Sequence, residues 1–124
     1  MTRPLSQRNG RCAEDLAAVY LAERGLELLA RNMRCKAGEI DLVCLDGATL
    51  VLIEVRQRAR SRFGGALASV GHLKRRKLIR AARFLLHTYP AWRRCIVRFD
   101  VVAVQGDPYG APEIAWIKDA FRAT

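Results

Sequence analysis

Acidic residues are missing from the middle of this chain. From Val55 through Phe99 there is no Asp or Glu, and all twelve acids lie outside that window. Thirteen of the twenty-two Lys and Arg residues fall inside it. An arginine-rich composition alone would not keep acids out of so long a stretch, so an anionic partner is expected. The net charge of +10 points the same way, because such a chain repels itself. Other absences narrow the class. No two of the four cysteines stand in a CxxC pair, which argues against a zinc knuckle or ribbon. No apolar stretch approaches the ~20 residues that a membrane span needs. Met1 to Gly10 lacks the apolar segment of a signal peptide. The expected setting is therefore a reducing cytoplasm, with the cysteines as core thiols. Aromatic residues make up only 7% and do not interleave with the basic ones, so stacking on single-stranded bases is not the main suggestion.

What remains suits one domain. A chain of 124 residues is long enough for a core of its own and too short for two domains. Residues 1–10 read as a flexible polar N-terminal arm and residues 11–124 as a single α/β domain. Ala13, Leu16, Ala17, Tyr20 and Leu21 form one helical stripe, so a helix is predicted from about Arg11 to Arg24, stopped by Gly25. Strands are predicted over Leu28–Arg34, Glu39–Leu45 and Thr49–Arg56, with a turn at Asp46-Gly47 between the last two. Phe63-Gly64-Gly65 starts a loop. A second helix follows from about His72 to His87, with Leu78, Ile79, Ala82, Leu85 and Leu86 apolar and Arg76, Arg80, Arg83 and His87 on another side. Cys95–Gln105 and Ile114–Ile117 are the last strands. The order implies one mixed sheet flanked by helices.

The hairpin carries the chemistry. A two-residue loop at Asp46-Gly47 pairs Leu45 with Ala48, which sets Asp41 opposite Leu52 and Glu39 opposite Glu54. Glu39, Asp41, Glu54 and Arg56 then share one face. Like charges that close need a cation between them, either a hard divalent ion or a neighbouring Arg or Lys. Asp41 and Glu54 stand among Ile40, Leu42, Val43, Leu52, Ile53 and Val55. Strands this apolar are usually covered on both faces, and buried carboxylates need a partner. Glu14 lies by helical spacing at the margin of the first helix's apolar stripe. It could reach the same site, or pair with a basic side chain at the surface. If the third strand runs past Arg56, then Arg58, Arg60 and Arg62 extend the same face as a basic ridge. Arg98 and Asp100, two apart on a strand, read as a structural salt bridge.

Asp41 followed by Glu54-Val55-Arg56 resembles the PD-(D/E)xK arrangement of restriction-endonuclease-like nucleases. The fuller series is Gly38-Glu39-Ile40-Asp41, Glu54-Val55-Arg56, Phe63-Gly64, Lys74 with Lys77-Leu78, Arg98-Phe99-Asp100-Val101-Val102 and Trp116-Ile117-Lys118-Asp119-Ala120-Phe121. It resembles the YraN family of bacterial proteins over nearly the whole chain. The resemblance implies a fold similar to Holliday-junction resolvases, with a mixed sheet flanked by helices. It implies a Mg²⁺ site, open to Mn²⁺, held by Asp41, Glu54, the Val55 carbonyl and the helix acid Glu14. Arg56 stands where the motif has lysine. Arginine stays protonated and cannot act as a general base, though it can hold a phosphate or stabilise a charged transition state. Lys74 falls near the site in the family pattern, with Lys77 and Arg80 further along the same helix as candidate phosphate contacts.

Two functions follow as expectations. The first is a metal-dependent endonuclease acting on structured or branched DNA, with Asp41, Glu54 and Arg56 at the reacting centre. The second is a non-catalytic nucleic-acid-binding module of the same fold, which Arg56 favours. A subunit that meets an acidic protein partner is a third, weaker reading. The expected partner is nucleic acid, DNA above all, without a membrane and with a homodimer left open.

Overall fold

The computed structural model describes the backbone of residues 5–58 and 71–122, with side chains from Cys12 onward. Helix α1 spans Leu5–Glu23 and is followed by β1 (Glu27–Cys35), β2 (Gly38–Asp46) and β3 (Thr49–Arg58). Helix α2 (His72–Thr88), a short 3-10 turn at Pro90–Trp92, β4 (Ile96–Gln105) and β5 (Glu113–Phe121) complete the chain. The Phe63-Gly64-Gly65 loop falls outside the described residues.

The five strands lie in sequence order, β1-β2-β3-β4-β5. All neighbours are antiparallel except β3 and β4, which run parallel, with α2 in the connection between them. Each face has its own apolar cluster. Leu42, Cys44, Val51, Ile53, Val102 and Val104 pack with Ala13, Ala17 and Leu21 of α1. Val43, Leu50, Leu52, Phe99 and Val101 pack with Leu78, Ala81, Ala82 and Leu85 of α2. The central strands are thus apolar on both faces because a helix covers each, as their composition implied. All four cysteines are free thiols; Cys44 is buried, and burial pushes its thiol up to about 12.

Three boundaries differ from expectation. Helix α1 begins at Leu5 rather than near Arg11, so residues 5–10 are helical backbone instead of an irregular arm. Gly10 within it costs about 1 kcal/mol of helix propensity, too little to break a helix anchored by its apolar stripe. The far end is a Schellman stop: Gly25 takes φ +93°, its N–H donates to Ala22 O, and the Leu26 N–H donates to Leu21 O.

The hairpin register is shifted. Asp46 pairs with Thr49 and Leu45 with Leu50, so the two turn residues are Gly47 and Ala48. Gly47 takes φ +62° while Ala48 keeps a negative φ, the pattern of a type II′ turn with glycine first. Asp46 stays in the strand, where its carboxylate accepts from Arg98 at 3.1 Å. Val43, not Asp41, therefore faces Leu52, and Glu39 is not opposite Glu54. A two-residue shift alone would keep side-chain parity, but the alternation of β2 slips before Leu42: Ile40 packs with Val43 on the α2 side, whereas Leu42 packs on the α1 side.

Strand β5 is longer than Ile114–Ile117. It reaches Phe121 through a bulge, with Asp119 at φ +52° and its N–H held by Asp100.

Candidate active site

The β2–β3 ladder stops at Leu42 and Ile53. Beyond that pair the Val55 N–H is taken by the Asp41 carboxylate, at 2.8 Å from Oδ2. The N–H and C=O of one strand residue point to the same edge, so the Val55 carbonyl also faces this gap. Charged groups from both helices act on Asp41 there. Lys74 of α2 and Glu14 of α1 both interact with it electrostatically, although the two helices cover opposite faces. The parting of β2 from β3 is what makes Asp41 reachable from both.

Glu54 is 5% exposed, and two cations meet one of its oxygens. Arg56 Nη2 lies 3.4 Å and Lys74 Nζ 3.5 Å from Oε1. Among the described residues, the other oxygen, Oε2, is buried without a hydrogen-bond partner, and so is Nε of Arg56. The Asp41 carboxyl is pushed up to about 7, first by burial and then by the charge of Glu54. Glu14 is also raised, by burial and by Asp41, against the opposing pull of a hydrogen bond with Asn32 and the charge of Arg31. Both alternatives for Glu14 hold together: it lies 3.8 Å from Arg31 and feels the carboxylates of Asp41 and Glu39.

A buried carboxylate oxygen with no donor, beside a second carboxyl that repels it, is costly unless a cation meets it. Asp41, Glu54 and the Val55 carbonyl are hard oxygen donors of the kind Mg²⁺ and Mn²⁺ take. They could hold such an ion, with Glu14 nearby. Among the described residues no group of three His, Cys, Asp or Glu side chains converges tightly enough to bind a metal by side chains alone. The backbone oxygen and water would have to complete the shell.

The predicted basic residues divide. Lys74 reaches Glu54, whereas Lys77 and Arg80 lie exposed along α2, with Lys77 above Gly38. Arg58 ends β3 beside Gln105, its guanidinium donating to Gln57 O at 2.7 Å. Arg60 and Arg62 fall outside the described residues. Sequence reasoning missed Asn32, which turns β1 at φ +53° and hydrogen-bonds Glu14. An asparagine inside a strand is itself a signal, because Asn is depleted in strands and tolerates the left-handed region.

Arg98 and Asp100 form the expected salt bridge, at 2.9 and 3.0 Å. Trp116 Nε1 and the Asp119 N–H add two more donors to the same carboxylate. No described helix is long and apolar enough to cross a membrane.

The model of the Uncharacterised protein family UPF0102 matches residues 13–104, which takes in Asp41, Glu54 and the whole of α2. A UPF0102 protein of Pseudomonas putida (strain GB-1) is 48% identical over 115 residues, 93% of this chain and 94% of its own. Another from Pseudomonas syringae pv. syringae is 46% identical over 121 residues, 98% of both chains. A third, from Janthinobacterium sp. (strain Marseille), is 46% identical over 98% of this chain and 93% of its own. The chain belongs to the UPF0102 family, the bacterial group to which the YraN resemblance pointed.

Proposed function

We propose that this protein binds nucleic acid and hydrolyses phosphodiester bonds in structured or branched DNA, using Mg²⁺ or Mn²⁺. The observation that carries the reading is the buried, unpartnered Oε2 of Glu54 beside Asp41, in a gap between strands. Asp41, Glu54 and the Val55 carbonyl would hold the ion, with Glu14 supporting them from α1. When bound, the ion supplies Lewis-acid stabilisation of phosphoryl charge and a water that loses its proton near neutral pH.

The chain's own groups do the rest. Asp41 fixes the end of β3 by accepting the Val55 N–H, which holds the carbonyl side of Val55 toward the gap. Lys74 and Arg56 place two cations against Glu54, where they can hold a phosphodiester and stabilise charge that develops on it. Arg56 serves as a fixed positive charge, since its guanidinium keeps its proton. Lys77, Arg80 and Arg58 add contacts to the nucleic-acid backbone, which orient the duplex without reading its sequence.

The test is cleavage of junction, flap and linear DNA with Mg²⁺ or Mn²⁺, using the Asp41→Asn and Glu54→Gln proteins as controls. Each substitution should abolish cleavage and leave binding intact or stronger, because it removes a negative ligand and a repulsion against the backbone. Equal trace activity in wild type and controls under every metal sinks the nuclease reading. The second reading, a binding module without hydrolysis, then takes its place. Its support is Arg56 in place of lysine and the two cations that already meet Glu54 Oε1.

A further inference from the structure

A cavity of about 610 Å³ opens between the first turns of α2 and the end of β5, on the sheet face that α2 covers. Its polar lining is cationic or imidazole: His72, Arg75 and Arg76 from α2 and Arg122 after β5, with no carboxylate among the lining residues. The floor is fixed. The Phe121 ring stacks on Phe99 at 4.8 Å, and the Arg75 guanidinium lies 5.6 Å from the Phe121 centroid. Asp119 holds Arg122 from outside, at 2.8 and 3.1 Å, which sets the direction of that guanidinium.

The charge placement runs against the stability of α2. The helix starts at Gly71 without a side-chain cap and has no acid in its first turn. Instead Lys74, Arg75 and Arg76 crowd the end where the macrodipole is already positive. Lys74 turns to Glu54, and its two neighbours line the cavity. An anion held by the guanidiniums that line the cavity would offset both their mutual repulsion and the dipole. Arginine forks suit a phosphate, which they bind through paired hydrogen bonds.

We propose that this cavity is a second phosphate site, which takes a backbone phosphodiester of nucleic acid. It rests on the nucleic-acid reading above. Phe121 pairs with Phe99 on β4, and Glu54 pairs with Val101 on the same strand. The two sites are therefore two strands apart, roughly 10 Å at the usual strand spacing. One phosphodiester cannot touch both, so the cavity engages a different phosphate from the one at Glu54 and fixes the direction in which the strand crosses α2.

The experiment is fluorescence anisotropy of labelled duplex and branched DNA over a series of salt concentrations. The proteins are wild type, Arg76→Ala, Arg76→Ala with Arg122→Gln, and Arg24→Ala, which lies just past α1 and matches the single variant in charge. Arg76, Arg122 and Arg24 are all exposed, and a thermal melt of each variant is the check that it folds. The double variant should bind about tenfold more weakly at low salt. Its slope of log K against log salt should fall by about 0.9 for each phosphate that is no longer neutralised. Arg24→Ala should keep the wild-type slope. A double variant with wild-type affinity and slope overturns the cavity as a phosphate site and leaves nucleic-acid binding standing. Equal weakening by Arg24→Ala also overturns it, since net charge would then explain the effect. Wild type that binds no DNA at any salt overturns the underlying reading and this site with it.

Discussion

Two carboxylate clusters are buried in one sheet, and they are built in opposite ways. Asp100 is 0% exposed and fully supplied. Arg98 Nε and the Asp119 N–H donate to Oδ1, and Arg98 Nη2 and Trp116 Nε1 donate to Oδ2, all within 3.0 Å. Nothing is left on it for a ligand to take. Asp41 accepts one backbone N–H, and Glu54 meets two cations at one oxygen while the other stays bare. Burial is common to both clusters, and satisfaction is what separates them: Asp100 is saturated, whereas the Asp41–Glu54 pair leaves a carboxylate oxygen unused, at a cost in stability.

That contrast should appear first in stability. Asp100→Ala strands the Arg98 guanidinium, the Trp116 indole and the Asp119 amide at once, and removing one partner of a buried pair costs about 3–5 kcal/mol. Urea denaturation should show a loss of that size, with the bulge of β5 loosened. A loss below about 1 kcal/mol would mean that Asp100 is as dispensable as a surface ion pair.

Asp41→Asn should move the other way, and only above acidic pH. The Asp41 carboxyl titrates near 7 in the fold against 3.8 for its ordinary value. Below about pH 4 it is protonated folded or unfolded and contributes no difference. Between there and pH 7 the unfolded chain ionises first, so stability falls as pH rises. Above pH 7 the penalty is complete. Asparagine keeps an oxygen for the Val55 N–H and removes the charge. The gain at pH 8 should be on the order of 2 kcal/mol, because solvent in the gap screens the pair. Melting curves from pH 4 to 8 check this: the wild type and the variant should converge at the acidic end. Curves that stay parallel would remove the ionisation of buried Asp41 as the cause.

A divalent cation should relieve the same repulsion. With Mn²⁺ at about ten times its dissociation constant, the fold should gain about 1.4 kcal/mol at pH 8. The Asp41→Asn protein should gain little. Equal shifts in both proteins would place the ion elsewhere.

The two clusters also differ in how far the sequence reveals them. Alternation of Ile, Leu and Val makes β2, β3 and β4 legible, and the 3.6-residue stripe of Leu78, Ala82 and Leu85 marks α2. Arg98 and Asp100 can be paired by parity alone. Trp116 and Asp119 cannot, because they reach Asp100 through a bulge that depends on one left-handed residue in β5. The hairpin turn lies one residue later than its local signal for a similar reason. Asp46-Gly47 is a good local turn, but the tertiary contact from Arg98 holds Asp46 in the strand. What brings Asp41 to the end of β3 is the gap where the β2–β3 ladder stops, which no local signal announces. Lys74 is different again: twenty residues separate it from Glu54, and only the crossover of α2 brings its amine to that carboxylate.

Arg56 gives the smallest expected effect and bears most directly on which cluster is built for chemistry. Its Nη2 meets Glu54 at 3.4 Å, but its Nε is buried without an acceptor. Lysine in that position keeps a positive charge within reach of Glu54 and has no Nε–H to leave unmade. An unsatisfied buried donor costs about 1–3 kcal/mol, and part of that is returned as lysine gives up the guanidinium's broader reach. Arg56→Lys should therefore be neutral, or stabilise by up to about 1 kcal/mol, whereas Arg56→Ala should destabilise by leaving Glu54 with Lys74 alone. The activity assay extends the argument. Arg56→Lys should retain or raise cleavage, because lysine supplies the same charge and can also yield its proton when desolvated, and Arg56→Ala should lower it. If Arg56→Lys destabilises the fold as much as Arg56→Ala does, the guanidinium is a saturated structural partner like Arg98. The contrast between the two clusters would then fail at the residue where it is sharpest.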